Sequence, residues 1–298
     1  MAHEHTHDKN FNKAFAIGVA LNLAFVVIEA TYGFLADSLA LIADAGHNLS
    51  DVLGLLLAWG AALLATRKPT PRRTYGFRRT TILASLLSAI LLLVALGAIF
   101  WESIGRLNTP RPVNSITIIV VAGIGVVINT VTAMLFYSGQ KHDLNIKGAF
   151  LHMAADAAIS LGVVLGGLAI MATGFYWIDP LLSVVIAIVI LFGTLGLLRD
   201  SVDLAIDAVP RQIDPQKVRQ YFLDLPEVVA LHDLHIWAMS TTEVALTVHL
   251  IIPDAPTEDI FLQQISRDLR HKFGIEHLTL QVERGEGDFC LLADHSCH

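Results

Sequence analysis

Two residue pairs give this chain its chemistry. His47 and Asp51 lie four residues apart in Asp44-Ala45-Gly46-His47-Asn48-Leu49-Ser50-Asp51, and His152-Met153-Ala154-Ala155-Asp156 repeats the spacing. Residues at i and i+4 share a helix face, so each stretch presents an imidazole and a carboxylate to one point. Both stretches lie inside long apolar runs. An aspartate at the centre of a membrane helix costs about 2.5–3.5 kcal/mol on insertion scales, so each pair calls for a partner. A shared divalent cation is the simplest one, because two nitrogen and two oxygen ligands make a tetrahedral site that suits Zn²⁺. Four unrelated polar groups packed in a bundle are the plainer alternative, and the repetition weighs against it. Metal binds the neutral imidazole and the ionised carboxylate, so its entry expels protons and protons compete with it. A site that loads metal at cytoplasmic pH and releases it when protonated from the other side is a proton-coupled exchanger.

The elements that must position these pairs follow from hydropathy. The chain has 298 residues, 54% hydrophobic and 16% charged, the balance of an integral membrane protein. No basic stripe points to nucleic acid. Six apolar runs match the roughly 20 helical residues that cross a bilayer. The first spans about Ala14 to Leu35, with Asn22 and Glu29 on one face. The second, Leu39 to Ala65, carries His47 and Asp51. The third spans Thr81 to Arg106 and the fourth Ser115 to Ser138. The fifth carries His152 and Asp156 and stops at Gly174, and the sixth ends near Leu198. Arg67, Lys68, Arg72, Arg73, Arg78 and Arg79 follow the second run, Lys141 and Lys147 follow the fourth, and Lys9 and Lys13 precede the first. The opposite loops hold Arg106 and Arg111. A lysine and arginine excess marks the cytoplasmic side, which places both termini there. The first run reads as a retained span rather than a signal peptide. His3, His5 and His7 read equally as an unstructured tail and as a weak metal collector. Compact loops favour a bacterial inner membrane.

The last hundred or so residues read as a water-soluble module. Asp214-Pro215 supplies an N-cap and first helical residue, for a helix to about Leu225. Val228 to Met239 and Glu243 to Ile252 read as strands joined by a Ser-Thr-Thr turn. Thr257 to Phe273 reads as a helix closed by Gly274, and His277 to Glu283 as a third strand. This α-β-β-α-β order predicts a small open sheet with helices on one face. The expected organisation is a tail over 1–12, a membrane domain over 13–208, a cytoplasmic metal-binding regulatory domain over 209–284 and a flexible Cys/His tail over 285–298. Within the module, His232, His235, His249, His277 and Glu283 are candidate ligands. Alternation puts His277 and Glu283 on one face, and His232 and His235 on opposite faces, so only one of the latter joins His249. Cys290, His295, Cys297 and His298 form a soft cluster that reads either as zinc ligands or as a disordered end.

Together with Ser38-Leu39-Ala40-Leu41-Ile42-Ala43 leading into Asp44–Asp51, the chain contains Tyr75-Gly76-Phe77-Arg78-Arg79, Glu102-Ser103-Ile104-Gly105-Arg106-Leu107 and Leu234-His235-Ile236-Trp237. In these motifs, and over nearly its whole length, it resembles the cation diffusion facilitator family. The resemblance implies six transmembrane helices, a cytoplasmic ferredoxin- or metallochaperone-like domain and a homodimer. It implies that His47, Asp51, His152 and Asp156 exchange Zn²⁺ for protons by alternating access, with His at the first position accompanying zinc preference. In mammalian vesicular members the cytoplasmic ligands fall at His232, His249, His277 and Glu283, which favours His232 over His235. Asp207 falls where the family pairs an acid with a basic residue, here Arg78 or Arg79. Thr80-Thr81 replaces a usual acidic residue, and the basic loop lacks the ligands of a second, interfacial site, so no metal is expected there. The His-rich loop between the fourth and fifth spans is missing. Ala293 stands where a tail cysteine would follow Cys290. The expected function is Zn²⁺ export against protons, with zinc sensing in the tail, no cofactor and no enzyme chemistry. The alternatives are a zinc receptor that does not move the ion and a membrane-embedded zinc enzyme.

Overall fold

The computed structural model describes residues 22–137, 144–253 and 259–284. Residues 14–21, the histidines at 3, 5 and 7, Lys141, His142, Thr257, Cys290, His295, Cys297 and His298 lie outside them. The described chain begins with α1 (Asn22–Leu35). There follow α2 (Leu39–Ala65), α3 (Thr80–Asn108), α4 (Ser115–Tyr137), α5 (Leu144–Thr173), α6 (Ile178–Ala205) and α7 (Pro215–Leu223). Then come β1 (Ala230–Ala238), β2 (Val244–Ile251), α8 (Asp259–Phe273) and β3 (Ile275–Glu283). Helices α2 to α6 are long and apolar enough to cross a membrane, and α1, a shorter apolar helix, is the described end of the first apolar run. Large apolar side chains such as Phe34, Val94, Trp101 and Phe192 are exposed on them, as suits a surface that faces hydrocarbon. Two predicted ends move. α6 continues to Ala205, well past Leu198, and α5 already includes Lys147. Hydropathy marks where lipid stops, whereas a helix continues until its backbone is capped.

The chain divides into two compact units, one made of residues up to Leu56 with Leu87–Gly196, the other of Leu57–Leu86 with Leu197 onward. In the first, Leu41 and Ala43 of α2, Leu96 of α3, Ile118 and Ala122 of α4, Val163 of α5 and Ile190 of α6 share a buried core. Glycines set the closest helix approaches. A Cβ on Gly167 would meet Ile119 at 2.8 Å, and one on Gly125 would meet Phe25 at 2.9 Å, the small-residue packing usual where apolar helices cross. The start of α2 is held from a distance. The Asp179 carboxylate, 1% exposed, accepts from Leu39 N at 2.7 Å, from Ala40 N at 3.3 Å and from the Ser38 hydroxyl. Ser38 Oγ accepts in turn from Leu41 N at 3.2 Å. These first amides have no partner inside the helix, and a carboxylate also suits the positive end of the helix dipole. Arg106 closes the same corner, with Nη1 2.8 Å from both the carbonyl oxygen and Oδ1 of Asp37.

In the second unit, Asp214 caps α7 by accepting from Gln216 N and Lys217 N, with Pro215 as the first helical residue. The sheet order is β1-β2-β3, antiparallel then parallel. Val244, Leu246, Val248 and Leu250 bury one face of β2 against Val218 and Phe222 of α7 and Ile265 and Leu269 of α8. The helices therefore cover a single face, and the opposite face carries Thr247 and His249. The basic segment between α2 and α3 grips this unit. Arg79 pairs with Asp207, Arg78 pairs with Glu243, and Thr241 N donates to Thr81 Oγ1 at 3.1 Å.

Asp179→Ala removes the acceptor of two backbone amides and a hydroxyl, each worth about 1–3 kcal/mol when left buried and unmade. The Tm of the detergent-solubilised protein is expected to fall by several degrees. Arg79→Ala breaks an exposed pair worth less than about 1 kcal/mol and should leave Tm nearly unchanged. Equal shifts in the two variants would contradict this assignment.

Candidate metal centres

α2 and α5 each carry an imidazole and a carboxylate at consecutive turns, and the two helix faces meet. His47 Nε2 lies 3.1 Å from Asp156 Oδ1 and 3.7 Å from Asp51 Oδ2. His152 Nε2 lies 3.3 Å from Asp51 Oδ2 and 3.7 Å from Asp156 Oδ2. A tetrahedron of 2.0–2.2 Å metal bonds has edges of about 3.3–3.6 Å, and the four separations bracket that length. His47, Asp51 and Asp156 form the tight part, with one ligand atom from each within 4.8 Å of the others. His152 stands at the open side, its side chain 46% exposed. His47, Asp51 and Asp156 are thus gathered at metal-binding separation, with His152 beside both carboxylates.

Residues that the spacing did not bring into the site back it up. Asn48 Nδ2 donates to Glu29 Oε2 at 2.9 Å, tying α1 to the turn that holds His47. The Ser160 hydroxyl, one turn past Asp156, donates to Asp44 Oδ2 at 2.9 Å. Both Glu29 and Asp44 are fully buried. The shared face of Asn22 and Glu29 hints at an inward Glu29, but no local signal names its partner.

A second group forms on the open face of the sheet, one residue from each strand. His232 Nε2 lies 3.1 Å from Glu283 Oε2, and His249 Nδ1 lies 3.1 Å from Glu283 Oε1. The His249 contact is out of line for a hydrogen bond, so among the described residues that nitrogen is buried without a partner. Burial alone would raise the Glu283 carboxyl, but hydrogen bonds from His232 and Gln281 and the two imidazoles nearby hold it below the ordinary carboxylate value. It is therefore ionised at neutral pH, the form a metal needs.

Two expectations about this face change. His277 does not join the group. It shares a face with Glu283, but six residues of strand separate them, about 20 Å, and its ring packs edge-on against Tyr75 instead. His235 does not face away from His232. β1 is bulged between them, with Asp233 at a φ of 53°, so His232 pairs with His249 and His235 with Thr247 on the same side. His235 stays exposed and bonds Asp233 Oδ1 at 2.8 Å, while Asp233 Oδ2 lies 3.6 Å from His249 Nε2. Asp233 was not foreseen, because strand alternation assumes an unbroken register. Cys290 and Cys297 lie outside the described residues.

Zinc bound per protomer, read by equilibrium dialysis on the full chain, is expected to fall by about one equivalent in His249→Ala or Glu283→Ala. His277→Ala and His235→Ala should keep the wild-type count. A loss in His277→Ala would return that residue to the site.

The cation efflux transmembrane domain model matches residues 15–204, and the cation efflux protein cytoplasmic domain model matches residues 210–285. The metal cation efflux system protein CzcD of Cupriavidus metallidurans is 35% identical over 297 residues, covering 99% of this chain and 93% of that protein. The zinc transporter ZitB of Escherichia coli is 36% identical over 293 residues, covering 95% and 93%. The cadmium, cobalt and zinc/H(+)-K(+) antiporter of Bacillus subtilis is 34% identical over 288 residues, covering 95% and 92%. With a membrane half and a C-terminal half both matched in order, the chain belongs to the cation diffusion facilitator family of multi-pass membrane proteins that export metal cations.

Proposed function

We propose that this chain exports Zn²⁺ from the cytoplasm in exchange for protons by alternating access. It works as a homodimer in a bacterial inner membrane with both termini cytoplasmic. His47, Asp51, His152 and Asp156 form the transport site, and the gathering of His47, Asp51 and Asp156 with His152 beside both carboxylates is the observation that carries the reading. Charge supports the exchange. Two aspartates neutralise one dication when both imidazoles are neutral, and they neutralise two imidazolium groups when the metal has gone. The site is uncharged in either state, which matters where the dielectric is low and an unpaired charge costs several kcal/mol. Two nitrogens and two oxygens favour zinc over the hard cations that take oxygen alone, and the names of the relatives include zinc. His232, His249 and Glu283 serve as a cytoplasmic sensor. A bound ion ties three strands at one point and tightens the dimer when cytoplasmic zinc rises. The basic loop at Arg78 and Arg79 carries that state to the start of α3.

The test is Zn²⁺ flux in proteoliposomes with and without a pH gradient. Wild type should show gradient-driven flux, and Asp51→Ala should lower it by at least about tenfold. Stoichiometric zinc binding with no flux would make the chain a receptor. Flux indifferent to the gradient would remove the proton from the mechanism.

A further inference from the structure

The basic side chains between α2 and α3 divide into two groups. Arg78 and Arg79 are taken up by Glu243 and Asp207. Arg67, Lys68, Arg72 and Arg73 are exposed, and among the described residues no carboxylate pairs with them. The segment that carries these four cations is folded rather than slack. Thr70 N donates to the Arg73 carbonyl at 3.0 Å and Arg73 N to the Thr70 carbonyl at 2.9 Å, while Gly76 N donates to the Arg73 carbonyl at 2.9 Å. Gly76 has a φ of 71°, and a Cβ there would stand 3.3 Å from the carbonyl oxygen of Arg67. The segment thus turns back until its end meets its start. The Arg73 guanidinium lies 4.6 Å from the centre of the Phe77 ring, a cation–π contact that holds it in place.

This tip sits on an apolar stem. Thr80 Oγ1 of α3 lies 3.4 Å from the Ala61 carbonyl oxygen of α2, so the two helices are side by side where they meet the tip. On the stem, Trp59 and Leu63 of α2 and Leu83 of α3 are 59%, 51% and 57% exposed. Both helices are long and apolar enough to cross a membrane. Their shared end holds the C-terminal module through Arg78, Arg79 and Thr81, and the family model of that module is a cytoplasmic domain. The tip therefore stands at the cytoplasmic surface of the bilayer, with cations at headgroup level and bare apolar side chains beneath them. A free phosphate would use only the cations. A phospholipid with a negative headgroup uses both parts, its phosphate at the tip and its acyl chains along the stem.

We propose that Arg67, Lys68, Arg72 and Arg73, with the apolar stem below them, form a docking site for an anionic phospholipid of the cytoplasmic leaflet. The six basic residues then have two tasks: Arg78 and Arg79 hold the C-terminal module, and the other four hold lipid. This needs only that the chain spans a bilayer and is independent of zinc exchange. A cation beside an anionic membrane surface is worth about fivefold in affinity, and the attraction is screened by salt.

The experiment titrates the detergent-solubilised full-length protein with fluorescent phosphatidylglycerol and, separately, with fluorescent phosphatidylcholine. Wild type should prefer phosphatidylglycerol by at least about tenfold at low salt, and the preference should shrink as salt is added. Substituting all four cations, Arg67→Gln, Lys68→Gln, Arg72→Gln and Arg73→Gln, should abolish the preference while the zinc bound per protomer stays at the wild-type count. If that variant does not fold, the pairs Arg67→Gln with Lys68→Gln and Arg72→Gln with Arg73→Gln decide, each lowering the preference by at least about fivefold. Arg111→Gln, on the opposite loop, should leave it unchanged. Equal binding of the two lipids by wild type overturns the site, as does a preference that survives in the substituted proteins or that Arg111→Gln removes as well. Displacement of phosphatidylglycerol by inorganic phosphate at the same concentration also overturns it, by making the tip an anion site with no use for the stem.

Discussion

The carboxylate of Asp179 decides where the candidate metal ligands of α2 point. α2 bears His47, Asp51, Asp44 and Asn48, and a helix advances about 100° per residue. A start displaced by a single residue would turn His47 away from α5. Asp179 and Ser38 together satisfy the three amides at residues 39, 40 and 41, which fixes both the first turn and the rotation of all that follows. The acceptor comes from 140 residues away in sequence. Closing α6 onto α2 is therefore part of building the metal site, although Asp179 lies far along the helix from it.

The site proper was legible because its signal is local and costly. A histidine and an aspartate four residues apart inside an apolar run predict one helix face and one ligand pair, and the second copy predicts the other half. What lay beyond reach was every partner chosen by tertiary contact. No local pattern around Asp179 or Asp44 names the distant groups that each one meets. Ser160 does not stand out among the small residues of α5. In the C-terminal domain the element order was readable from caps and alternation, and the strand ends moved by only a few residues. Alternation then misplaced His235, because the extra residue at Asp233 resets the pleat. It also grouped His277 with Glu283, because a shared face says nothing about distance along the strand.

The two clusters are built on opposite plans. In the sheet, each strand supplies one ligand and hydrogen-bonded neighbours hold the three in place, so the geometry is set before any ion arrives. Glu283 supports this through its depressed carboxyl, already ionised and already in contact with both imidazoles. In the membrane domain, two helices supply two ligands each. Within a pair the separation is rigid, and between pairs it depends on how α2 meets α5. The first arrangement suits the proposed sensor and the second the proposed carrier.

That difference gives the membrane cluster a mechanical side. Metal bonds tolerate only about 0.2 Å of error, while a slide of one helix past another by a single residue is about 1.5 Å. In the proposed transport site the grip on an ion is then a steep function of one coordinate, the offset between α2 and α5. Helices change their tilt to match bilayer thickness at a cost of fractions of a kcal/mol per Å. In the proposed transport reading, a thicker or thinner bilayer shifts that offset and with it the hold on the cargo.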